Sequence, residues 1–284
     1  MDTFDSFIRS YPNKEVKLKY LYEYEPLSTA GGLFHYRDTF QKGAASDENL
    51  LFLNSDVCNL YPLGELIKTH KERDTIGTVL CATSENERSK AYGCLVLNES
   101  SGLIEHYVEK PDTFVSETIS CGIYVFKTSK IFSLLKEIFN QSETSAISME
   151  RDVLPHLTNQ NQLSGCISSW PFAQIKSASS AVSVSAIYLE FTKKTNLASG
   201  PNIIGEVFIH PTAKVDPDAK IGPNVTIGPN AIVKQGARIR NAIILDDTTI
   251  EGKSLEGFQF RWLEIKAIDA ALSISIMLFS NHLK

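Results

Sequence analysis

Charged residues follow apolar runs at several places in the first half of the sequence, where they could bind a ligand. Asp56 comes three positions after the run 51–53, in the segment Asn-Ser-Asp-Val. Ligands of open α/β sheets lie beyond the carboxyl ends of the strands, and an Asp there can hold Mg²⁺ together with substrate phosphates. An Asp at a strand end can equally cap a helix or form a turn. Asp56 is therefore a candidate metal ligand with a purely structural alternative.

Two other short segments carry groups that suit polar ligands. Gly31 and Gly32 follow Thr29, and adjacent glycines let the backbone approach a flat ligand closely. Glu109 and Lys110 end an apolar segment, where the carboxylate can accept from sugar hydroxyls and the ammonium can donate to a phosphate. Taken singly, the glycines fit an ordinary turn and the Glu–Lys pair fits a solvated surface.

The elements that must position these groups alternate between strands and helices up to about residue 158. Apolar runs predict strands, amphipathic stretches predict helices, and their alternation is typical of an α/β domain with a mainly parallel sheet. The predicted strands are 50–53, 76–82, 93–97 and 119–126, and the predicted helices are 60–73 and 129–139. We expect this domain, a Rossmann-like one, to span residues 1–176.

The second half of the chain follows a different period. An aliphatic residue recurs at every sixth position through Ile203, Ile209, Val215, Ile221, Ile227, Val233, Ile239 and Leu245. A second apolar series runs two positions ahead of it, through Val207, Ala213, Ala219, Val225, Ala231, Ala237 and Ile243. Ordinary antiparallel strands would repeat every two residues, so this spacing predicts a short left-handed parallel β-helix of hexapeptide repeats over 201–252. Such a short stack leaves an end exposed and needs a cap or a partner.

The remaining segments are a connection and a tail. Residues 177–200 are expected to form a helix, over 177–189, and a linker. The six-residue pattern stops after Gly252, and residues 253–284 are an atypical tail that is expected to pack as a helix over the short β-helix. A variant or mis-spliced tail is the alternative.

Composition excludes several classes of protein. The chain of 284 residues has a net charge of −5 and no clustered basic face, so we expect no nucleic-acid partner. Its five cysteines are widely spaced without a C-x-x-C pair, which favours reduced thiols over disulfides or a zinc site. The apolar run 267–279 is too short to cross a bilayer, and the first residues lack the features of a signal peptide. We therefore expect a cytoplasmic protein with no membrane partner.

The order of the motifs resembles one family of enzymes. The segments are E-P-L-x-T-x-G from Glu25, L-N-x-D-V from Leu53, Y-G-C from Tyr92, V-E-K-P from Val108 and C-G-I-Y-V-F from Cys121, followed by the six-residue pattern. This order is similar to sugar-phosphate nucleotidyltransferases. The wording of the segments resembles the GDP-mannose pyrophosphorylase (mannose-1-phosphate guanylyltransferase) family, specifically its alpha-type regulatory subunit, over roughly residues 20–252.

The resemblance implies a reaction and a set of site residues. Family members join a sugar 1-phosphate to a nucleoside triphosphate and release pyrophosphate, here GTP and mannose 1-phosphate giving GDP-mannose. It implies that Asp56 is a Mg²⁺ ligand and that Thr29, Gly31 and Gly32 line the nucleotide site. The residues that it places at the sugar phosphate are Gly93, Glu109, Lys110 and Ser120.

The sequence departs from the family pattern in three places, of which the first two argue against turnover and the third implies a weaker affinity for the hexose. Residues 1–19 contain no G-G-x-G-T-R loop or P-K-P segment, as in an N-terminally truncated form, so the triphosphate loses its cradle and the sheet its first strand. Gln174 stands where active members have a second metal-binding Asp, a feature that alpha-type subunits share. Ser120 replaces the Asn that precedes C-G-I-Y. No residue is therefore assigned a catalytic role.

The sequence leaves several functions open. The leading interpretation is a regulatory subunit that binds GDP-mannose or a related nucleotide sugar and associates with a catalytic beta-type subunit, in a homo- or hetero-oligomer. The first alternative is an active mannose-1-phosphate guanylyltransferase that uses Mg²⁺. The second is an acyltransferase of the hexapeptide type, for which His210 is the candidate catalytic residue. The third is a fragment with no function of its own.

Overall fold

The computed structural model describes most of the chain. The described residues are 8–9, 11, 17–41, 48–84, 86–252, 254–259 and 275–279. Most of the segment 1–19, in which the glycine-rich loop is missing from the sequence, lies outside them. Within the described part of the chain, no helix is long and apolar enough to cross a membrane.

Strands and helices alternate through the first part of the chain. In order they are α1 (Ser28–His35), α2 (Arg37–Gln41), β1 (Asn49–Asn54), β2 (Val57–Asn59), α3 (Leu63–Arg73), β3 (Gly77–Thr83), β4 (Gly93–Leu97), β5 (Ile104–Glu109), β6 (Thr118–Lys127), α4 (Thr128–Gln141), α5 (Leu154–Asn159), β7 (Leu163–Ile167), β8 (Phe172–Gln174) and α6 (Ala178–Phe191). Two 3₁₀ helices, at Asn86–Ala91 and Lys194–Asn196, and a π-helix at Met149–Val153 complete the series. Each strand and helix predicted for residues 50–189 overlaps one of these elements.

The main sheet is mixed, so the prediction of a mainly parallel sheet is wrong. Its strands lie in the order β17–β1–β6–β3–β7, where β17 is Ser275–Phe279, and β4 pairs with β5 and β6. Of these pairs, β3–β7 runs parallel and the others run antiparallel. The reason lies after β4, where the chain turns back through 98–103 into β5 instead of crossing over through a helix. As a result β6 enters the sheet antiparallel, between β1 and β3.

Both faces of this sheet are covered by apolar side chains. Leu50 and Phe52 of β1 belong to one buried cluster, which includes residues of α4 and α5. Leu51 and Leu53 belong to a second cluster, which includes Leu66 of α3. This alternation follows from the two-residue period of a strand. β1 is thus an interior strand, and its carboxyl end leads into the turn that carries Asp56.

The second part of the chain consists of short parallel strands. They are β9 (Val207–Ile209), β10 (Lys214–Val215), β11 (Lys220–Ile221), β12 (Val225–Ile227), β13 (Ile232–Val233), β14 (Arg238–Ile244), β15 (Thr249–Ile250) and β16 (Ser254–Gln259). Paired residues are 18 positions apart in β9–β12, β10–β13 and β11–β14, and 17 apart in β12–β14 and β13–β15. Helix α6 packs on this part, where Ser185 Oγ lies 2.9 Å from Thr226 Oγ1.

The spacing of buried side chains is six residues up to Ile239 and then shortens once. The positions buried as predicted include Ile221, Ile227, Val233 and Ile239. The next two are Ile244 and Ile250, so the six-residue spacing predicted through Ile243 and Leu245 is wrong at these two positions. The cause is a shift in strand register at Asn241, whose φ is 44°. The shift removes one residue from that turn of the chain.

The described residues of the tail are strands. β16 pairs parallel with β14, and β17 pairs antiparallel with β1. The prediction that the tail packs as a helix is therefore wrong for these two segments. Residues 260–274 and 280–284 lie outside the described part of the chain.

Candidate functional site

The turn between β1 and β2 holds the predicted metal ligand. The carbonyl of Asp56 accepts a hydrogen bond from Ile175 N at 2.8 Å, which ties the turn to the end of β8. The side chain is half-buried, and burial raises the pKa of the Asp56 carboxyl, while the Lys176 ammonium acts in the opposite direction. Asp56 therefore lies within electrostatic range of a cation of its own chain.

Gln174 lies next to this turn. β2 pairs antiparallel with β8, which places Gln174 opposite Val57, the residue after Asp56. The Oε1 atom of Gln174 is buried and has no hydrogen-bond partner among the described residues, and the same holds for Oδ1 of Asn54. Gln174, which stands at the metal position of the family pattern, is thus a neutral residue that pairs with Val57, one residue along the chain from Asp56.

These donors do not fit a magnesium centre of their own. Mg²⁺ binds one or two carboxylates at near-octahedral geometry, together with water and phosphate oxygens. Among the described residues, no group of three or more His, Cys, Asp or Glu side chains could hold a metal ion. The Lys176 ammonium also competes for the charge of Asp56. Binding of Mg²⁺ by Asp56 stays a prediction, and no step below depends on it.

Lys176 is a site residue to which sequence analysis assigned no role. Its Nζ lies 4.9 Å from the centroid of the Tyr92 ring. Burial lowers the pKa of Lys176, and the Lys110 ammonium lowers it further, whereas the carboxylates of Asp56 and Glu109 raise it. Because the two ammonium groups repel each other, an anion between them would be stabilised by both.

Strands β4 and β5 bring three predicted residues together. Gly93 pairs with Glu109, and a Cβ atom at Gly93 would overlap the Tyr107 hydroxyl. That hydroxyl donates to Glu109 Oε2 at 3.0 Å, while Lys110 Nζ lies 3.1 Å from Glu109 Oε1. The Glu109 side chain is 15% exposed and the Lys110 side chain 58% exposed. Gly93 is therefore required so that Tyr107 can orient a mostly buried carboxylate, beside an ammonium that solvent and ligands can reach.

Ser120 lies deeper than the other predicted residues. It is buried on β6, where its Oγ lies 3.3 Å from the Tyr124 hydroxyl and accepts from Gly122 N at 3.2 Å. Gly122 has a φ of 68°, and a Cβ atom there would lie 2.8 Å from Asn54 Nδ2. In the structure Ser120 supports Tyr124 behind the site, and its contact with a sugar phosphate stays a prediction.

A third carboxylate of the site, that of Glu150, was missed by sequence reasoning. It lies in the π-helix Met149–Val153, a rare element that is often found at functional sites. Its Oε2 accepts from Thr29 Oγ1 at 2.6 Å and from Ser148 Oγ at 3.2 Å. The only local signal is a serine followed by acidic residues, Ser-Met-Glu-Arg-Asp, which is typical of an ordinary helix start.

Helix α1 docks the predicted nucleotide-binding segment onto its own chain. Gly31 N donates to Ile147 O at 3.0 Å, and a Cβ atom at Gly31 would lie 2.7 Å from Ser145 O. Gly31 and Gly32 are buried, so the close approach that these glycines permit is an approach of protein to protein. Of the three predicted residues, Thr29 is connected to the other site residues, because its hydroxyl donates a hydrogen bond to Glu150. Contact of Thr29, Gly31 and Gly32 with a nucleotide stays a prediction.

A groove of about 630 Å³ lies elsewhere, between α1 and α4. Its walls include Phe34, Arg37, Phe132 and Lys136. Of the predicted site residues it contains Gly31 alone, so the groove and the site around Asp56 are different places.

Five side chains form what we call the charged cluster: Asp56, Glu109, Lys110, Glu150 and Lys176. Burial is the largest cause of the shifts in the pKa values of Asp56 and Lys176, and after it come the charges of the other members. Ammonium groups donate charge-assisted hydrogen bonds to phosphates, and carboxylates accept them from hydroxyls. The cluster therefore suits a ligand that carries both phosphate and hydroxyl groups.

His210 has a structural role at the corner after β9. Its Nδ1 accepts from Thr212 N at 3.3 Å and lies 2.9 Å from Thr212 Oγ1. A nitrogen used in this way holds a turn, so the acyltransferase alternative is not favoured.

Comparisons with known proteins agree with the motifs. The nucleotidyl transferase family model matches residues 2–170, and the model of the GMPPB C-terminal domain matches residues 203–255. The chain is 41% identical over 263 residues to the mannose-1-phosphate guanylyltransferase regulatory subunit alpha-A of Danio rerio, covering 84% of this chain and 62% of that protein. It is 37% identical over 259 residues to the probable mannose-1-phosphate guanyltransferase of Schizosaccharomyces pombe, with coverages of 84% and 62%.

A human relative matches over a shorter length. The regulatory subunit alpha of Homo sapiens is 36% identical over 218 residues, which cover 69% of this chain and 51% of that protein. The chain thus spans between half and two thirds of the length of these relatives. The resemblance predicted from the order of the motifs is confirmed.

Proposed function

Because the chain belongs to the nucleotidyl transferase family, we propose that it is a regulatory subunit of GDP-mannose synthesis. It binds GDP-mannose or a related nucleotide sugar and associates with a catalytic beta-type subunit. The proposal is supported by relatives from Danio rerio and Homo sapiens whose names describe a regulatory subunit alpha of mannose-1-phosphate guanylyltransferase.

The observation that carries the proposal is that the neutral Gln174 stands at the metal position of the family pattern and pairs with Val57, the residue after Asp56, in a site that otherwise holds charged groups. Transfer of a nucleotidyl group needs the charge of a triphosphate to be neutralised, mostly by metal ions that carboxylates hold in place. Binding of a finished nucleotide sugar needs only donors and acceptors. A site with one carboxylate at the metal position and two lysines nearby is therefore better suited to binding than to turnover, and the active-enzyme alternative is less well supported.

The charged cluster suggests a role for each of its members. Lys110 and Lys176 would donate to the diphosphate, because they are the cations of the cluster and repel each other without it. Glu109 and Glu150 would accept from sugar hydroxyls, since neighbouring hydroxyl groups hold both carboxylates in place. The residues proposed from the family resemblance alone are Thr29, Gly31, Gly32, Gly93 and Ser120.

The proposal also covers architecture and location. A left-handed parallel β-helix of hexapeptide repeats over 201–252 is supported by partner offsets of 17 and 18 residues, which equal about three six-residue sides. The proposed divisions are 1–176, 177–200, 201–252 and 253–284. A cytoplasmic location is supported by five cysteines that are all free thiols. A homo- or hetero-oligomer is proposed because a short β-helix needs a cap or a partner.

Thermal unfolding of the chain with GDP-mannose, and with UDP-glucose as the control ligand, tests the binding. A ligand present at a hundred times its Kd stabilises the native state by about 2.7 kcal/mol, which for a chain of this size raises the melting temperature by about 5–10 °C. We expect this rise with GDP-mannose and a smaller one with UDP-glucose. Equal shifts, or no shift with either ligand, would contradict the proposal.

Two lysine variants and one assay refine the test. Lys176→Met should weaken GDP-mannose binding at least tenfold, or about 1.4 kcal/mol, because it removes one of the two ammonium groups of the cluster. Lys68→Met is the matched control, since the Lys68 side chain is 76% exposed on α3. Release of pyrophosphate from GTP and mannose 1-phosphate would favour the active enzyme instead. Sedimentation with the beta-type subunit tests the partner.

A further inference from the structure

We propose that β17 is a sealing strand, which covers the backbone edge of β1 and so protects β1 from opening and from pairing with other chains. The inference concerns the tail of the chain and does not depend on the proposed function.

β1 is built as an interior strand. Its four central residues, Leu50, Leu51, Phe52 and Leu53, are buried on both faces of the sheet. Strands that end a sheet are usually protected by a charge, a proline or a bulge, because an open edge pairs with other chains. The sequence of β1, Asn-Leu-Leu-Phe-Leu-Asn, has no charge and no proline, and neither of its two pairings contains a bulge. An apolar segment of this kind is a template for aggregation if its edge is open.

Both edges of β1 are paired with other strands. On one side β6 pairs antiparallel with it, from Asn49 with Lys127 to Leu53 with Ile123. On the other side β17 pairs antiparallel along five consecutive residues, from Leu50 with Phe279 to Asn54 with Ser275. The occupant of the second edge is therefore a segment of this chain, and its five residues, Ser-Ile-Met-Leu-Phe, are mostly of the kind that favours strands.

The position of β17 also connects the tail with the site. Ser275 is the partner of Asn54, which ends β1 two residues before Asp56. β17 runs antiparallel to β1 and covers its edge. Ser275, the first residue of β17, pairs with the last residue of β1, after which the chain enters the turn that carries Asp56.

Proline substitutions in the full-length chain test the backbone pairing. Adjacent residues of a strand direct their N–H groups to opposite edges, so of Ile276→Pro and Met277→Pro one removes a donor to β1 and the other does not. We expect the melting temperatures of the two variants to differ by about 4 °C or more. The variant that loses the donor to β1 should be the less stable one. Equal effects of the two variants, or no effect of either, would overturn the proposal.

Hydrogen exchange of the β1 amides provides a second readout. In the more damaging proline variant, alternate amides of β1, either Leu50 and Phe52 or Leu51 and Leu53, should exchange at least tenfold faster. The other pair, which faces β6, should keep its protection. If all four amides lost their protection equally, the substitution would have destabilised the whole domain. That result would contradict the proposal that β17 pairs with one edge of β1. Protection in the unmodified chain that falls on tenfold dilution would mean that β17 comes from a second copy, and would overturn sealing within one chain.

Discussion

At the scale of single residues, Gly93 shows how the site constrains its own sequence. The absence of a side chain there leaves room for the Tyr107 hydroxyl, which in turn holds Glu109. Family resemblance marked this glycine as a contact to the sugar phosphate. The structure adds a steric reason that would apply even if no ligand touched it.

We expect Gly93→Ala to weaken GDP-mannose binding at least tenfold and to cost about 1–3 kcal/mol of stability, because the new methyl group displaces Tyr107 in a packed region. Gly64→Ala is the control, since a Cβ atom there meets nothing within 4 Å. Alanine in that helix should be neutral or stabilise the chain by up to about 1 kcal/mol. Titration by calorimetry and urea unfolding of both variants check this. An unchanged affinity in Gly93→Ala would mean that Glu109 needs no orientation.

Glu150 and Lys176 mark the limit of sequence analysis at this scale. Asp56, Glu109 and Lys110 were found because each lies within three positions after an apolar run, which is a local signal. Glu150 reaches the site from a π-helix, and Lys176 reaches it because β8 pairs with β2. Both placements depend on contacts between distant parts of the chain, which a reading of local patterns does not contain.

At the scale of elements, the strands and helices could be predicted but the sheet could not. The run Leu-Leu-Phe-Leu at 50–53 and the apolar run at 123–126 of β6 are buried on both faces, and such runs predict strands whatever their direction. Direction is decided by connections, and the short return from β4 to β5 reverses it. The slip from Ile239 to Ile244 could not be predicted either, because Ile243, Ile244 and Leu245 are all aliphatic and periodicity cannot choose among them.

Asn241 is the residue on which this slip depends. Its φ is 44°, its N–H donates to Pro223 O at 2.8 Å, and its Oδ1 accepts from Asn224 Nδ2 at 3.1 Å. We expect Asn241→Val to cost about 1–2 kcal/mol, because a β-branched side chain is strained at positive φ. Asn241→Gly should stay within about 1 kcal/mol of the original chain. Urea unfolding of both variants provides the measurement, and equal costs would mean that the backbone conformation is not what matters there.

At the scale of the whole molecule, one buried histidine contributes to the loss of stability in acid. His70 of α3 is buried against the sheet, where its Nδ1 lies 2.8 Å from Thr78 Oγ1 and its Nε2 has no partner among the described residues. Burial, with the Lys127 ammonium acting in the same direction and Asp74 against it, lowers the pKa of His70 to about 4. The folded chain therefore holds this imidazole neutral.

The sign of the effect on stability follows from that shift. Above the unfolded pKa of about 6.5 neither state binds the proton, so His70 has no effect on the pH dependence there. As the pH falls from about 6.5 to about 4, the unfolded chain takes up the proton first, and stability should decrease by up to about 3 kcal/mol. Urea unfolding measured at several pH values across this range provides the test. The midpoint of His70→Gln should decrease less with falling pH than the midpoint of the exposed control, His106→Gln. The same slope in both variants would contradict the assignment.

The pairing of β17 with β1 has a consequence for the order of events during synthesis. Asn54 and its partner Ser275 are 221 positions apart in the chain (275 minus 54). At about 5–20 residues per second, a ribosome needs roughly ten to forty seconds to make the residues between them. Throughout that interval β1 has been made and its final neighbour has not, while the repeat strands can already assemble behind it. For most of its synthesis the nascent chain thus exposes an apolar strand edge. Chaperone binding would protect the chain from aggregation during this interval.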